Sequence, residues 1–170
     1  MLIRRLEHAD APAYRALRLR SFLENPEAFT TSHAELERQP LSDTERRLTA
    51  PDAKFWGAFD RDTLCGHVGL EREAREKCRH KATLVGMYVA PDYQGRGIGR
   101  ALVDVLLAEA RADRIERVLL TVTDGNVGAQ ALYERCGFQS WGVEPRAIRV
   151  DGRYFGKNHM ALDLKAVSTS

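Results

Sequence analysis

Three of the chain's thirteen glycines fall within five residues, at Gly95, Gly97 and Gly99. They follow the apolar run 82–89 and lead into a helical repeat of apolar residues, so the loop joins a buried strand to a helix N-terminus. Glycine lets the backbone turn its N–H groups toward a ligand with no Cβ in the way. The first helical turn adds unpartnered N–H groups and a positive dipole end. Arg96 and Arg100 bring fork-shaped cationic donors. The natural guest is a phosphate or pyrophosphate. The Walker pattern GxxxxGK[ST] is absent, because neither Lys-Ser nor Lys-Thr follows Gly99, which disfavours a kinase or NTPase. The dinucleotide pattern GxGxxG fails too, since Gly99 is followed by Arg100 and no acidic residue is placed for a ribose. A glycine-rich turn with no ligand is the plain alternative.

These residues need elements to hold them. Ile3 sits in a short first strand. Asp10 is placed to cap a helix that tolerates Pro12 in its first turn, runs to about Leu23 and is limited by Pro26. Ser42-Asp43-Thr44-Glu45 has capping-box spacing, so a helix is expected to start there and end near Pro51. Residues 54–60 and 64–72 read as a hairpin around Arg61-Asp62. Residues 73–81 are charged and read as an exposed loop. Gly86 lies inside the apolar strand 82–89, which suggests a bulge or a close backbone approach. Ile98, Leu102, Val105 and Leu106 recur at helical spacing, a helix of about 14 residues. Residues 118–122 form a short strand. Ala129, Leu132, Tyr133 and Cys136 share a helix face that Gly137 terminates. Residues 138–150 and 153–164 flank Asp151-Gly152, a strong hairpin signal. The order β-α-α-β-β-β-α-β-α-β-β predicts a mixed α/β sheet in one layered domain over residues 1–165, with 166–170 as a frayed tail.

Composition narrows the function classes. The 170 residues suit one domain, and 26 Lys+Arg against 24 Asp+Glu leave a net charge of only +2. That balance argues against a nucleic-acid partner. Arginine dominates the basic residues, which reads as composition bias rather than a polyanion surface. The uncharged runs, such as 82–91, are far shorter than the roughly 18 to 20 residues a bilayer demands, so no membrane role is expected. The N-terminal Met-Leu-Ile-Arg-Arg-Leu-Glu-His lacks a signal-peptide core. Cys65, Cys78 and Cys136 form no CxxC pair, and the five histidines show no HxH or HExxH spacing. No metal centre is expected, and free thiols fit a cytoplasmic location.

The motifs carry a resemblance. Gln94-Gly95-Arg96-Gly97-Ile98-Gly99 resembles the Q/R-x-x-G-x-G/A signature of the GNAT superfamily of acetyl-CoA-dependent N-acetyltransferases. About 30 residues on, Asn126-Val127-Gly128-Ala129-Gln130-Ala131-Leu132-Tyr133-Glu134-Arg135-Cys136-Gly137-Phe138 is similar to the family's N-x-x-A-x-x-L-Y-x-x-x-G-F segment. Leu17-Arg18-Leu19, Pro26-Glu27-Ala28-Phe29 and Gly152-Arg153-Tyr154 resemble a bacterial branch. The likeness runs along essentially the whole chain.

The resemblance implies the family's fold, a mostly antiparallel sheet flanked by helices, with two parallel strands splayed around the cofactor. It implies that Gln94, Gly95, Arg96, Gly97, Ile98, Gly99 and Arg100 hold the coenzyme A pyrophosphate. Met87, Tyr88 and Val89 would pair their backbone with the pantetheine arm, and a backbone N–H there would polarise the thioester carbonyl. Asn126 and Ala129 would line the cofactor tail, and Tyr133 would protonate the departing thiolate. Core packing is the ordinary alternative for Met87, Tyr88 and Tyr133. Cys136 reads as core rather than as a nucleophile.

The general base is less clear. Some family members carry a glutamate six residues before the position of Val89, but that position is Thr83 here. Glu71 and His80 are the candidates, acting directly or through water, with a solvated surface role as the alternative for each. The acceptor pocket is expected from residues 23–40 and 146–158, with Glu24, Glu27, Glu35 and Glu37 as possible attractors of a cationic amine. Gly156 follows Tyr154-Phe155 where the family often has an acidic residue, so no family substrate transfers directly. The expected activity is transfer of an acetyl group from acetyl-CoA to a primary amine of a small molecule by direct attack. A peptide or protein amine is one alternative acceptor, and a non-catalytic acyl-CoA sensor is an alternative of another class. Family analogy makes a homodimer plausible.

Overall fold

A computed structural model describes residues 1–164. The tail expected at 166–170 lies outside the described residues. The strands are β1 (Leu2–Arg5), β2 (Ala53–Asp60), β3 (Thr63–Arg72), β4 (Lys81–Val89), β5 (Arg117–Thr123), β6 (Gln139–Val150) and β7 (Arg153–Asp163). The helices are α1 (Ala11–Glu24), α2 (His33–Arg38), α3 (Leu41–Thr49), α4 (Ile98–Ala112) and α5 (Val127–Arg135). The seven strands form one sheet in the order β1-β2-β3-β4-β5-β7-β6. Every neighbouring pair is antiparallel except β4 and β5. That is the mixed, mostly antiparallel sheet expected from the sequence.

Each face of the sheet buries its own core. Tyr14 and Leu17 of α1 and Leu48 of α3 pack with Phe55, Phe59, Leu64 and Tyr88. On the other face, Ile98, Leu102, Val103, Leu106, Leu107 and Ala110 of α4 recur at helical spacing against Trp56, Val68, Leu70, Ala82 and Val118. Leu102 and Leu106 are fully buried; burial of such a side chain stabilises by about 1.5–3 kcal/mol. Gly99 sits where α4 meets α5, and a Cβ there would lie 3.2 Å from Leu132 Cδ2. This glycine is therefore a packing residue as well as part of the loop.

The second helical region departs from expectation. Ser42 does not cap a helix, because α3 already starts at Leu41 with Pro40 holding the extended N-cap conformation. The capping box lies upstream and starts α2, a helix the periodicity did not reveal. Ser32 Oγ accepts from the Glu35 amide at 3.1 Å, and a Glu35 carboxylate oxygen accepts from the Ser32 amide at 2.7 Å. Both serines have a glutamate three residues on. Pro40 decides between them, because its φ of −68° and ψ of 156° already end the extended segment. Asp10 does precede α1, but its carboxylate is taken by Arg4 at 2.8 Å and the Glu7 amide at 2.7 Å rather than by the helix.

Candidate active site

β4 and β5 stay together for only three pairs, Lys81–Arg117, Ala82–Val118 and Thr83–Leu119. Beyond Thr83 they part. The cause is in β4 itself. Gly69 pairs with Val85 but His67 pairs with Tyr88, so one extra residue is inserted near Gly86, whose φ is +61°. A bulge of this kind bends and twists its strand. Of the bulge or close backbone approach that Gly86 suggested in the sequence, the structure has the bulge, just beyond the last pair of β4 with β5.

The opening is a cleft of about 390 Å³ that joins the two faces of the sheet. Arg18 and Phe22 of α1 and residues 28–31 wall it on one side. Asn126, Ala129 and Tyr133 of α5 wall it on the other. The backbone edge of β4 faces the gap. The Ala90 amide donates to the Cys65 carbonyl at 2.8 Å. By strand alternation the polar groups of Val89 turn away from β3, and the Val89 carbonyl accepts from Gln94 Nε2 at 3.1 Å. Met87 lines the cleft, whereas Tyr88 points into the α1 core, where its hydroxyl donates to Glu24.

The glycine loop lies at the C-terminal end of β4 and does not line this cleft. Gly95 and Gly97 have φ near +75° and +76°, which side chains rarely adopt, and a Cβ at either would meet nothing within 4 Å. Gly97 is the N-cap of α4 and supplies no capping side chain, so no side chain caps the first-turn amides from Ile98 onward. That is a fit for a pyrophosphate. Arg96 stacks 5.0 Å above Tyr93 and donates to the Asp92 carbonyl. Arg100 is engaged by Asp104 at 2.9 Å and by the Arg135 carbonyl at 3.1 Å.

Tyr133 is buried, with its ring 5.9 Å from Phe138, and burial pushes its phenol well above the ordinary value. Asn126 caps α5 by accepting from the Ala129 amide at 3.2 Å. Cys136 is partly buried against the α4 core. Glu71 lies directly across from Thr83 and lines the same cleft as Tyr133. Arg47 Nη1 holds its carboxylate at 3.2 Å. His80 does not reach the cleft. It stands exposed before β4, where its carbonyl receives the amides of Glu116 and Arg117. The four acidic candidates do not form an attracting wall either. Glu24 is bound to Arg20 and Tyr88, Glu35 is spent in the α2 cap, and Glu37 lies beside His33. Glu27 does not line the cleft; its carbonyl accepts from Thr123 and Lys157, and its carboxylate acts on Lys157 electrostatically. Of residues 146–158, only Lys157 lines the cleft.

Four titratable lining residues were given no role of their own from the sequence: Arg18, Arg47, His67 and Lys157. Arg18 carried a signal, since it falls between Tyr14 and Phe22 at i, i+4 spacing on the buried stripe of α1. His67 lay inside the buried run of β3. Neither of its ring nitrogens has a hydrogen-bond partner. Burial lowers its pKa to about 3; Arg18 and Arg47 add to this and the Gly86 backbone opposes it. Lys157 Nζ is held by the carbonyls of Glu27 and Ala28 and by Thr123 Oγ1 at 3.1–3.3 Å, and burial lowers its pKa against the pull of Glu27.

No helix among the described residues is long and apolar enough to cross a membrane. Among those residues no group of histidine, cysteine and carboxylate side chains is arranged to hold a metal.

Comparison with known proteins agrees with the fold. The model of the Acetyltransferase (GNAT) family matches residues 12–138. The N-alpha-acetyltransferase RimI of Mycobacterium tuberculosis is 38% identical over 128 residues, covering 70% of this chain and 78% of that protein. A mycothiol acetyltransferase of Thermobispora bispora is 32% identical over 142 residues, covering 79% of this chain but only 45% of its own length. The structure of yncA from Salmonella typhimurium with its cofactor acetyl-CoA superimposes with a TM-score of 0.82, covering 100% of this chain and 97% of that one at 22% identity. With the family model matching most of its length and a relative 38% identical over 128 residues, the chain belongs to the GNAT family of acetyltransferases.

Proposed function

We propose that the protein transfers the acetyl group of acetyl-CoA to a primary amine of a small molecule by direct attack. The observation that carries this reading is the cleft itself. It runs through the sheet and sets Glu71 at its vertex and Tyr133 on its α5 wall. Acetyl-CoA supplies an activated thioester. The amides at the start of α4 and the open cradle at Gly95 and Gly97 suit its pyrophosphate. The outer edge of β4 suits its arm, with a backbone N–H between Met87 and Val89 stabilising charge on the carbonyl oxygen.

An ammonium has no lone pair, so the acceptor must first lose a proton. Glu71 takes it, directly or through one water, with Arg47 fixing the carboxylate's orientation. Tyr133 gives a proton to the departing sulfur; its burial keeps the phenol protonated until then. A small acceptor is favoured because the acceptor side is roofed. Lys157 and Thr123 bind the carbonyls of Glu27 and Ala28 and so tie the segment after α1 down onto β5 and β7. The likeness to an N-alpha-acetyltransferase favours a second reading, in which the acceptor is a protein N-terminus.

The two readings separate in one assay. Thiol release from acetyl-CoA is followed with small amines and with short peptides of free N-terminus. Faster turnover of small amines is expected. Turnover of peptides alone would replace the first reading by the second.

A further inference from the structure

The cleft holds more positive charge than its own carboxylate can balance. Arg18, Arg47 and Lys157 line it, against Glu71 as the one acidic side chain in the lining among the described residues. Glu71 is already paired with Arg47. Lys157 is satisfied by two carbonyls and a hydroxyl. Arg18 is different. Its guanidinium packs 5.6 Å from the Tyr14 ring and 5.3 Å from the Phe22 ring. Among the described residues it has no carboxylate or carbonyl acceptor within hydrogen-bonding distance. Burial works against its charge, and Arg47 repels it.

Arginine keeps its proton in proteins, so this cation stays charged at the wall of a cleft. Stacking on two rings offsets part of its lost hydration but leaves its five N–H donors unused. A guanidinium in this state is matched by a planar oxoanion, above all a carboxylate, which it can engage through two parallel hydrogen bonds. The pyrophosphate does not fill this role, since the glycine loop lies outside the cleft. The neighbouring groups fit the same guest. Glu71 is near enough to Arg18 to interact with it electrostatically and offers a partner for an ammonium. His67, buried beside them, adds no charge, because burial disfavours its protonated form.

Resting on the acetyl-transfer reading above, we propose that the acceptor carries a carboxylate of its own, an amino-acid-type zwitterion, with Arg18 binding the carboxylate while Glu71 receives the amine. Arg18 is then the residue that determines acceptor specificity. The arrangement also orients the amine, since two charges of opposite sign at fixed positions define a direction.

The test uses matched acceptors with the intact protein. A set of α-amino acids is compared with the corresponding amides and decarboxylated amines, and with a short peptide of free N-terminus, by thiol release from acetyl-CoA. Wild type should favour each amino acid over its carboxylate-free partners by about 10- to 100-fold in kcat/KM, the worth of a charge-assisted hydrogen bond. The preference should collapse in Arg18→Gln, mainly through KM for the amino acid, and return in part in Arg18→Lys. Acetyl-CoA affinity, measured calorimetrically, checks that each variant is folded. Equal or faster turnover of the amides, amines or peptide by wild type overturns the carboxylate proposal while leaving acetyl transfer standing. So does an unchanged preference in Arg18→Gln. Failure to acetylate any of these acceptors overturns the acetyl-transfer reading and this one with it.

Discussion

Glu71 on β3 stands directly opposite Thr83 on β4, and both side chains line the cleft. Cross-strand partners share one face of a sheet, with Cβ atoms about 4.5–5.5 Å apart. A carboxylate carried at position 83 would thus occupy nearly the same space as that of Glu71. Thr83 is also the last residue of β4 that pairs with β5, so Glu71 stands at the point where the strands separate.

Glu71→Gln should therefore lower kcat/KM by about 10²- to 10⁴-fold if the residue takes the acceptor's proton. The double variant Glu71→Thr with Thr83→Glu should recover part of the loss, because the carboxylate returns one strand away. Unchanged kcat/KM in Glu71→Gln would remove the residue from the proton path.

Tyr133→Phe keeps the ring that packs 5.9 Å from Phe138 and deletes only the hydroxyl. The expected result is a fall in kcat of about 10²-fold or more with acceptor saturating, and little change in Tm. Full turnover would reduce Tyr133 to a packing residue.

Gly97 tests the phosphate cradle. With φ at +76°, Gly97→Ala should cost about 1–2 kcal/mol in backbone strain alone. Gly97→Asp adds a carboxylate at a helix N-cap, where it favours the helix but repels a phosphate. Acetyl-CoA affinity should fall by roughly 100-fold more in the aspartate variant than in the alanine one, which sets charge repulsion apart from strain. Calorimetric titration gives the comparison; equal losses would argue against an anion at this loop.

His67 should make the fold acid-sensitive. Its pKa is lowered to about 3 in the folded chain, against about 6.5 in an unfolded one. Above pH 6.5 both states are neutral and the group has no effect. As pH falls from about 6.5 toward 3, the unfolded state binds the proton first, so stability drops by up to about 1.4 kcal/mol per pH unit. Urea unfolding of wild type and His67→Gln between pH 7 and 4 should show this slope only in wild type. Parallel pH dependences would mean that His67 reaches water.

Some of this was legible in the order of residues. The strand and helix sequence around 82–112 follows from apolar spacing and from glycines at positive φ, which are local properties. The Gly86 bulge, the Gly97 helix start and the Asp151-Gly152 turn belong to the same class. The misplaced capping box shows where local reading fails. Ser32 and Ser42 present the same pattern, and only the conformation of Pro40 and the packing of α2 and α3 choose between them.

The sequence by itself determined the order of strands and helices, the glycine loop before α4 and the family likeness, because each rests on motifs of residues close together in the chain. Tertiary structure alone decided the character of the acceptor site. Arg18, Arg47, Glu71, Thr83, Tyr133 and Lys157 come from six separate elements, and they meet only because β4 leaves β5 after Thr83. The exposure of His80 was legible in the charged run 73–81, but nothing in the order of residues shows that His67 is buried beside the cleft, or that Glu24, Glu35 and Glu37 are engaged elsewhere. Nor does it show that one arginine among many is left in a cleft without an anion. Burial and pairing are set by what folds on top of a residue, and that is a property of the whole chain.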